Sequence, residues 1–467
     1  MRKRSSLAVI LAAGLLAACQ TTPTAPPKLE LPAATAGDVH LDAWWNDFDD
    51  SRLTALVDEA LAHNLDLEAA LARIETARAQ VKLASADLYP SLGLGVDAGR
   101  SRVSQVGSLP VPPGFATSSD YRLGLSASYE VDLWGKYHAT TQAARNDLFA
   151  SEFARETVRT VVAAQVARTY FDLVAADAQL KLLEDTLKLR EETLALQTDR
   201  ARAGVTGDYD LSQAKAERDA VVADVAAARR AVGDYESALA AVVGRSPRDV
   251  YTPKVVRTPS LAKLVSVPSI PAGIPSDMLL RRPDVRSIEK QLAAASLRID
   301  AARADYFPSL DLTGSLGTES AALSKLFSGP AAIWSIGAGL VQPLIGLNAI
   351  EANVEAQTAR RHELAVSYKQ TVQSAFKDAH DALVEDASAR ASLAAQAART
   401  ENLRNAYTLS DMRYQAGYSP YLEVLDAQRQ LLQAQTLEIL AARDARLALV
   451  DLAQALGGGW DYQHAVP

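Results

Sequence analysis

One long stretch of the chain carries apolar residues at alternating steps of three and four positions, the repeat of packed helices, and a second stretch of similar length shares its lack of helix breakers. Glycine is absent from Lys136 to Ala203 and from Leu347 to Ala416, and neither stretch contains proline. Each stretch can form one helix of about 100 Å at about 1.5 Å per residue. The 3.5-residue spacing predicts left-handed supercoiling in a coiled coil or an equivalent assembly. In the first stretch the spaced positions are Val162, Val166, Thr169, Leu173, Ala176, Leu180, Leu183 and Leu187.

A return helix keeps the same frame after the first long stretch. Glycine-containing segments, 204–207 and 417–420, end the two long stretches. Because glycine just past a helix end is a typical C-cap, we predict that both segments are tips of helical hairpins. An ordinary two-helix coiled coil stays an alternative for this pattern. The spaced positions of the return helix are Ala214, Val221, Val225, Ala228, Val232, Tyr235, Leu239 and Val242.

Strict alternation of apolar with small or polar residues predicts four short strands, two in each half of the chain. Such glycine-containing, one-sidedly apolar segments are typical of transmembrane β-barrel strands, although a soluble meander has the same pattern. The connections 101–119 and 318–333 are predicted to be surface loops. The alternating apolar positions are Leu92, Leu94 and Val96; Leu123, Leu125, Ala127, Tyr129 and Val131; Leu310 and Leu312; and Trp334, Ile336, Ala338 and Leu340.

Four strands cannot close a barrel, and open strand edges are not tolerated in lipid. The strand pattern therefore predicts an oligomer. Two chains would give eight strands around a filled interior, and three would give twelve strands around a lumen. The spacing alone favours neither number.

The chain also repeats itself, which indicates internal duplication. Residues 84–92 return as 302–310, and residues 200–204 followed by Asp210 return as 413–417 followed by Glu423. Each half is predicted to contain a helix, two strands, a long helix, a tip and a return helix. We place the first repeat at 44–260 and the second at 261–456, followed by a C-terminal tail at 457–467.

The N-terminus has the pattern of a bacterial lipoprotein signal. A basic start at residues 2–4 precedes an apolar segment at 7–18, which is too short to span a bilayer. We predict that residues 1–18 are removed and that Cys19, the only cysteine, is acylated. A plain secretory signal with an incidental cysteine is the alternative. Residues 19–43, rich in Thr, Pro and Ala, are predicted to be a lipid-anchored, extended tether.

Composition and motifs exclude several function classes. Asp and Glu number 56 against 48 Lys and Arg, for a net charge of −8, so no basic nucleic-acid face is expected. His362-Glu363 lacks the second histidine of a zinc protease motif, and the chain has no glycine-rich phosphate loop. We therefore expect no enzyme, no cofactor, no metal site and no nucleic-acid partner.

Taken together, the motifs resemble the TolC-like family of outer-membrane efflux channels, in the lipoprotein (OprM- or NodT-type) branch that serves RND pumps. The resemblance covers the whole mature chain. By similarity to known lipoproteins, Gln20 also favours sorting to the outer membrane. The motifs are Trp44-Trp45 with Phe48, Asp49 and Leu53; Ala60-Leu61 with Asn64; Asp132-Leu133-Trp134-Gly135; Gly273-Ile274-Pro275-Ser276-Asp277 with Arg281-Arg282-Pro283-Asp284; Gln342-Pro343-Leu344; Leu425-Asp426-Ala427-Gln428-Arg429; and Ala455-Leu456-Gly457-Gly458-Gly459-Trp460.

The resemblance implies a mainly α fold with a membrane β-barrel part. It implies a homotrimer in which four strands per chain form a twelve-stranded barrel that continues into a long periplasmic α-helical barrel. Residues 245–283 and the segment from Gly457 onward would lie in an equatorial region around the helices. The implied partners are a periplasmic adaptor (membrane fusion) protein, an inner-membrane RND pump and the lipids of the outer membrane.

The resemblance also implies a periplasmic gate near the second hairpin tip. Arg413 and Tyr414 match the residues that tether the coils, while Leu422 and Asp426 match the constricting apolar and acidic rings. Three copies of a leucine can occlude a narrow pore, and a ring of carboxylates prefers cations. The possible partners of Arg413 are three carboxylates of the first hairpin, Asp199, Asp208 and Asp210. The alternative is that Leu422 is a seam residue and Arg413 a plain surface charge.

The expected function is passive export of drugs or other small toxic compounds. The alternatives are the outer channel of a metal-efflux or type I secretion system, and, from another class, a structural envelope lipoprotein without a pore. Only two methionines, Met278 and Met412, remain in the mature chain, which disfavours soft-metal binding along a channel.

Overall fold

The computed structural model describes residues 27, 41–107, 111–112, 114, 116–258 and 279–460. The predictions for the signal peptide, Cys19 and most of the tether lie outside these residues. So do those for the motif around Gly273 and for most of the C-terminal tail. The described chain divides into two compact units, one formed by 74–151 and 288–368, the other by 41–73, 152–258, 279–287 and 369–460.

The element order is the one that the sequence predicts for each half. The first half contains α1 (Ser51–His63), α2 (Leu65–Ala86), β1 (Ser91–Arg102), β2 (Thr117–Glu130), α3 (Lys136–Arg202), α4 (Asp208–Val242) and α5 (Pro247–Tyr251). The second half contains α6 (Pro283–Ala304), β3 (Ser309–Ser320), β4 (Ala332–Val341), α7 (Leu347–Gln415) and α8 (Tyr421–Ala455). A search of the described helices finds none long and apolar enough to cross a membrane.

The internal duplication is confirmed by the lengths of the paired elements. Helices α2 and α6 each have 22 residues, and strands β1 and β3 each have 12. The return helices α4 and α8 each have 35 residues. The long helices differ slightly, with 67 residues in α3 and 69 in α7. The limits of the two repeats as domains stay a prediction.

Both hairpin tips end their long helix in the same way. Gly204 and Gly417 have φ angles of 71° and 77°, in the left-handed region that glycine adopts without a Cβ clash. The next amide after each glycine bonds five residues back, from Val205 to Arg200 and from Tyr418 to Arg413. The amide of each glycine also bonds three residues back, from Gly204 to Ala201 and from Gly417 to Tyr414. These two bonds at each tip are the Schellman motif, so the predicted C-caps are confirmed.

The predicted seam of the first hairpin is buried along its length. Leu173 and Leu239 are fully buried, and the other seam positions of α3 and α4 are buried or half-buried. Near the tip, Leu183 packs with Val221, Val225 and Ala228 in a separate apolar cluster. The 3.5-residue frame in the sequence therefore marks the face on which the two helices pack.

Ion pairs and hydrogen bonds hold the segment after α5, at Arg257 and Thr258, against the helices. The Arg257 guanidinium donates to Asp177, with 3.0 Å between Nη2 and Oδ1, and it also contacts Glu236. The Asp50 carboxylate accepts from the Thr258 hydroxyl at 2.8 Å and from the Tyr170 phenol. Burial and this contact with Asp50 raise the pKa of Tyr170 to about 12. The part of the predicted equatorial region that the structure describes is thus anchored to α3 and α4.

The four strands form one antiparallel sheet in the order β1-β2-β3-β4. Its register aligns Leu94, Leu125, Leu316 and Trp334 across all four strands on one face. The neighbouring row on the other face begins with Gly93 and continues with serines; the Ser315 and Ser335 hydroxyls lie 2.8 Å apart. One face is therefore apolar and the other is rich in glycine and serine, as the alternation predicts.

The polar face also carries one row of charges. Asp97 lies opposite Arg122, which lies opposite Glu319 on the next strand. The Arg122 guanidinium donates to the Glu319 carboxylate, with 3.0 Å between Nε and Oε2. This cation is therefore neutralised across the strands.

The predicted loop limits need a correction. Strand β1 continues to Arg102 and β2 begins at Thr117, so both ends of the 101–119 segment are paired. In the same way β3 continues to Ser320 and β4 begins at Ala332. Ladder hydrogen bonds do not depend on apolar side chains, and here they extend past the apolar positions into serine-rich sequence.

The turn from β2 into α3 explains the motif at residues 132–135. The Asp132 carboxylate accepts from the backbone amides of Tyr137 at 3.2 Å and His138 at 2.9 Å, which caps the start of the helix. The Trp134 indole stacks on Phe307 with ring centroids 4.6 Å apart, and its N–H donates to the Pro308 carbonyl at 2.8 Å. The motif therefore fixes where the sheet ends and the long helix begins.

A tight crossing joins α2 to the end of α4. The Asn64 side chain accepts from the amide of Asp66 at 2.9 Å and donates to the Val242 carbonyl at 2.7 Å. Gly244 follows with a φ of 85°, and a Cβ built there would lie 2.1 Å from the His63 carbonyl oxygen. Only glycine fits this position, because both the backbone conformation and the space exclude a side chain.

We expect Gly244→Ala to lower the melting temperature, because the left-handed conformation alone costs about 1–2 kcal/mol for a residue with a Cβ. Displacement of the His63 carbonyl adds to that cost. Gly233→Ala within α4 is the matched control, because no atom lies within 4 Å of its Cβ position. This control should stabilise the helix by about 0.5–1 kcal/mol. Thermal unfolding followed by circular dichroism measures the melting temperatures of both variants. Equal shifts in the same direction would contradict the conclusion that position 244 requires glycine.

Candidate functional site

The tip of the second hairpin brings together Arg413 and a carboxylate that the sequence did not predict. Arg413 lies in the last turn of α7, and its Nε is 3.7 Å from Oε1 of Glu423 in the first turn of α8. Both side chains are exposed. Within the chain Arg413 therefore faces Glu423, and its pairing with Asp199, Asp208 or Asp210 stays a prediction. Arg413 and Glu423 are close because they lie on either side of the same tight turn.

The three predicted carboxylates have other surroundings. Asp199 lies 3.4 Å from the Arg202 guanidinium, one turn along α3. Asp208 and Asp210 occupy the first turn of α4, where the helix dipole favours negative charge. A link between Arg413 of one chain and these carboxylates of another stays a prediction.

Tyr414 connects the second hairpin to the first. Its hydroxyl accepts from the Gln197 amide at 3.0 Å and from the Arg200 guanidinium. That guanidinium also lies over the Tyr414 ring, 5.1 Å from its centroid. Gln197 is fully buried, so this contact is shielded from water on one side. The geometry joins α7 to α3, whereas the tethering role of Tyr414 stays a prediction.

A buried charged layer lies beside this contact. Arg190, only 2% exposed, has its guanidinium 3.6 Å from the Glu217 carboxylate and donates to the Gln428 side chain. Arg429 also donates to Glu217, with 2.9 Å between Nε and Oε1. The Gln428 amide donates to the Tyr407 hydroxyl at 3.3 Å. One carboxylate of the first hairpin therefore lies between two guanidiniums, one from each hairpin.

The sequence analysis missed Arg190 and Gln197, although a signal was present. Continuing the three-and-four frame beyond Leu187 places both at seam positions, where apolar residues are expected. A polar residue on a seam typically specifies how helices pair, at a cost in stability.

Tyr421 completes the interior of the tip. Its ring lies 5.8 Å from the Tyr414 ring, and burial raises the pKa of its phenol. The nearby Arg190 charge lowers that pKa by a smaller amount, while the Glu217 carboxylate raises it. The interior of the tip is therefore a low-dielectric environment, in which its hydrogen bonds and ion pairs are strengthened.

Leu422 and Asp426 lie one turn apart on the exposed face of α8. Leu422 is 52% exposed, whereas Val424 on the opposite face is buried. The Asp426 carboxylate accepts a local bond from the Gln430 amide at 2.6 Å. Within the chain Leu422 is therefore not buried on a seam, and its role in a pore stays a prediction. The pair presents an apolar and an acidic side chain in the same direction.

The described residues contain no group of three or more His, Cys, Asp or Glu side chains that could hold a metal ion. The contacts at the tip suit a mechanical and electrostatic role. The tip holds two hairpins together by polar contacts and displays an apolar and an acidic group outward.

Comparison with known proteins assigns the chain to a family. The sequence model described as outer membrane efflux protein matches residues 56–245 and 274–458, most of both halves. The chain belongs to the outer membrane efflux protein family. This family consists of channels rather than enzymes.

Three curated relatives match along most of their length. The solvent efflux pump outer membrane protein SrpC of Pseudomonas putida is 33% identical over 414 residues, 88% of this chain and 86% of that protein. The probable outer membrane lipoprotein SilC of Salmonella typhimurium is 33% identical over 417 residues, 89% and 88% of the two chains. The cation efflux system protein CusC of Escherichia coli O6:H1 is 32% identical over 428 residues, 91% and 90% of the two chains.

The fold is also that of a solved channel. The crystal structure of the Campylobacter jejuni CmeC outer membrane channel superposes with a TM-score of 0.87 at 27% identity, covering 94% of this chain and 96% of that one. The predicted TolC-like fold is therefore confirmed, as is the localisation to the outer membrane that family members share.

We expect Tyr414→Phe to loosen the second hairpin tip, because the Gln197 amide and the Arg200 guanidinium lose their common acceptor. Loss of a hydrogen bond worth about 1 kcal/mol should speed local amide exchange at the end of α7 by roughly fivefold. Tyr418→Phe is the matched control, since its ring is 81% exposed at the same tip. Hydrogen-exchange mass spectrometry compares the two. Equal exchange rates in the variant and the control would show that the Tyr414 hydroxyl does not stabilise the contact between the hairpins.

Proposed function

We propose that the protein is the outer-membrane channel of a tripartite efflux system, a passive exit duct for drugs or other small toxic compounds. The observation that carries this proposal is the family match along both repeats, together with the CmeC channel fold over 94% of the chain. SrpC, a relative of nearly the same length, belongs to a solvent efflux pump.

The sheet supports assembly as a homotrimer. Its order leaves β1 and β4 as edge strands within the chain. Unpaired backbone groups cannot be left facing lipid, so each edge requires a strand of another copy. Three copies form a twelve-stranded barrel with a lumen, whereas two would give eight strands with a filled interior. In the trimer the apolar face of the sheet faces lipid and the polar face lines the lumen. The long helices form the periplasmic α-helical barrel.

The hairpin tips support a gate at the periplasmic mouth. Six hairpins surround that mouth in a trimer, and three copies of Leu422 and Asp426 would form an apolar and an acidic ring. Both side chains point away from the core of their own chain, which leaves them free to face a pore. Arg413 and Tyr414 would hold the second hairpin in the closed position.

The role of an exit duct also implies partners. The duct would receive its cargo from an inner-membrane RND pump through a periplasmic adaptor. CusC is named for cation efflux, which keeps a metal-efflux channel as the second candidate. SrpC and CusC, the relatives named for their cargo above, are named for solvent and cation efflux rather than for secretion.

We expect Arg413→Ala, and separately Leu422→Ala combined with Asp426→Ala, to raise the resting conductance in planar bilayers. Charge-assisted hydrogen bonds contribute about 1.5–3 kcal/mol each, less where water enters, and threefold repetition multiplies their effect on the closed state. Cells that carry these variants should become more sensitive to large antibiotics through leakage.

Leu239→Ala is the control for this experiment, because Leu239 is fully buried on the return helix of the first hairpin. It should lower stability by about 2–5 kcal/mol without opening the pore. If the tip variants conduct like the parent protein, the gate is not at these residues. A parent that never conducts would instead favour the structural lipoprotein.

Native mass spectrometry of the detergent-solubilised protein tests the trimer and the anchor together. We expect three protomers, each beginning at Cys19 and carrying acyl chains; SilC, a relative of similar length, is named a lipoprotein. Cys19→Ser should remove the acyl mass and leave the trimer intact, because the barrel holds the protein in the membrane. A monomer with full pore activity, or a mature chain that begins elsewhere, would contradict the corresponding assignment.

A further inference from the structure

We propose that Arg100 and Arg102 of β1 bind the phosphate groups of the anionic glycolipid in the outer leaflet of the outer membrane. Alternate residues of a strand share a face, so these two arginines lie on the same face as Leu92, Leu94 and Val96. All five side chains are exposed in the chain. The apolar face of the sheet therefore ends in two cations.

The two arginines lie at the end of the sheet that is remote from the helices. Strand β1 starts next to α2, whereas Arg102 pairs with Thr117 where the loop to β2 closes the hairpin. Ten residues separate Leu92 from Arg102, or about 25 Å along the membrane normal for a tilted strand. That distance matches the height of the apolar band of outer-membrane barrels. With the helices in the periplasm, Arg100 and Arg102 reach the outer headgroup level.

Neither arginine is neutralised by the protein. Arg100 lies opposite Ser119 and Arg102 opposite Thr117, and the described residues provide no ion pair for either one. The acidic residues nearby, Asp97 and Asp120, lie on the other face of the sheet. Arg122, in contrast, lies on that other face and is paired with Glu319. The sheet thus neutralises the cation on its polar face and leaves the two on its apolar face without a partner.

The chemistry of the position selects a phosphate-bearing lipid. A cation on the lipid face is costly at mid-membrane and tolerated near the interface, where its long side chain extends to the headgroups. The planar guanidinium forms paired hydrogen bonds with phosphate oxygens. Two such guanidinium groups on alternate residues lie about 7 Å apart along the strand. Together they form a site with two positive charges directly above the apolar band.

The experiment uses the full-length protein in detergent and bisphosphorylated lipid A as the probe, with native mass spectrometry as the readout. The test variant is Arg100→Gln with Arg102→Gln, and Arg100→Lys with Arg102→Lys keeps the charge. Arg122→Gln is the matched control on the opposite face. The parent and the lysine variant should retain bound lipid A, the glutamine variant should bind it about tenfold more weakly, and the control should bind like the parent.

Three results would overturn the proposal. One is equal retention of lipid A by the parent and the glutamine variant. Another is equal binding of dephosphorylated lipid A by the parent, which would show that phosphate is not recognised. The third is displacement of lipid A by millimolar inorganic phosphate, which would indicate a free-anion site rather than a lipid contact. The inference rests on the proposed barrel, so single-channel conductance is recorded on the same samples. If the glutamine variant loses lipid binding but conducts normally, the barrel is intact and the loss is due to the two arginines.

Discussion

The open edges of the four-stranded sheet are the constraint on which the rest of this structure depends. A sheet with one apolar face can lie against lipid only if its backbone groups on both edges are paired. Strands β1 and β4 leave such edges within a single chain. In the proposed channel a single chain therefore could not span the membrane as a monomer, and the long helices, which follow β2 and β4 in sequence, would take the symmetry that the strands impose.

Most of the fold could be predicted from the sequence because its signals are long and locally determined. The two glycine-free stretches became α3 and α7 with ends within one residue of the predicted limits. The strand limits were less accurate, since backbone pairing continues where the apolar alternation has stopped. Nothing in the sequence distinguishes a residue that pairs across a ladder from one that begins a loop when both are serine.

The candidate site was only partly predictable. Leu422 and Asp426 were found by resemblance, whereas their outward direction follows from the structure, in which Leu422 is exposed and Val424 on the opposite face is buried. The contact of Arg413 with Glu423 was not predicted, because sequence distance gave no weight to the tight turn that brings the two close. Arg190 and Glu217 were missed because charge on a long helix usually indicates a solvated face. Arg190 is nevertheless buried and the Glu217 side chain is only 14% exposed, so this part of the contact between the hairpins is polar although it is largely shielded from water.

The glycine and serine rows of the sheet have a consequence for cargo. A wall built of these residues has short hydroxyls, exposed backbone and few deep recesses. In the proposed barrel a passing molecule would therefore find many similar weak contacts along these rows, and stronger contacts at the charged row of Asp97, Arg122 and Glu319. An uncharged compound would pass quickly, and saturation of the duct by it would be difficult. Selectivity and transport rate would then be set by the pump that delivers the compounds. One duct could therefore serve several different pumps.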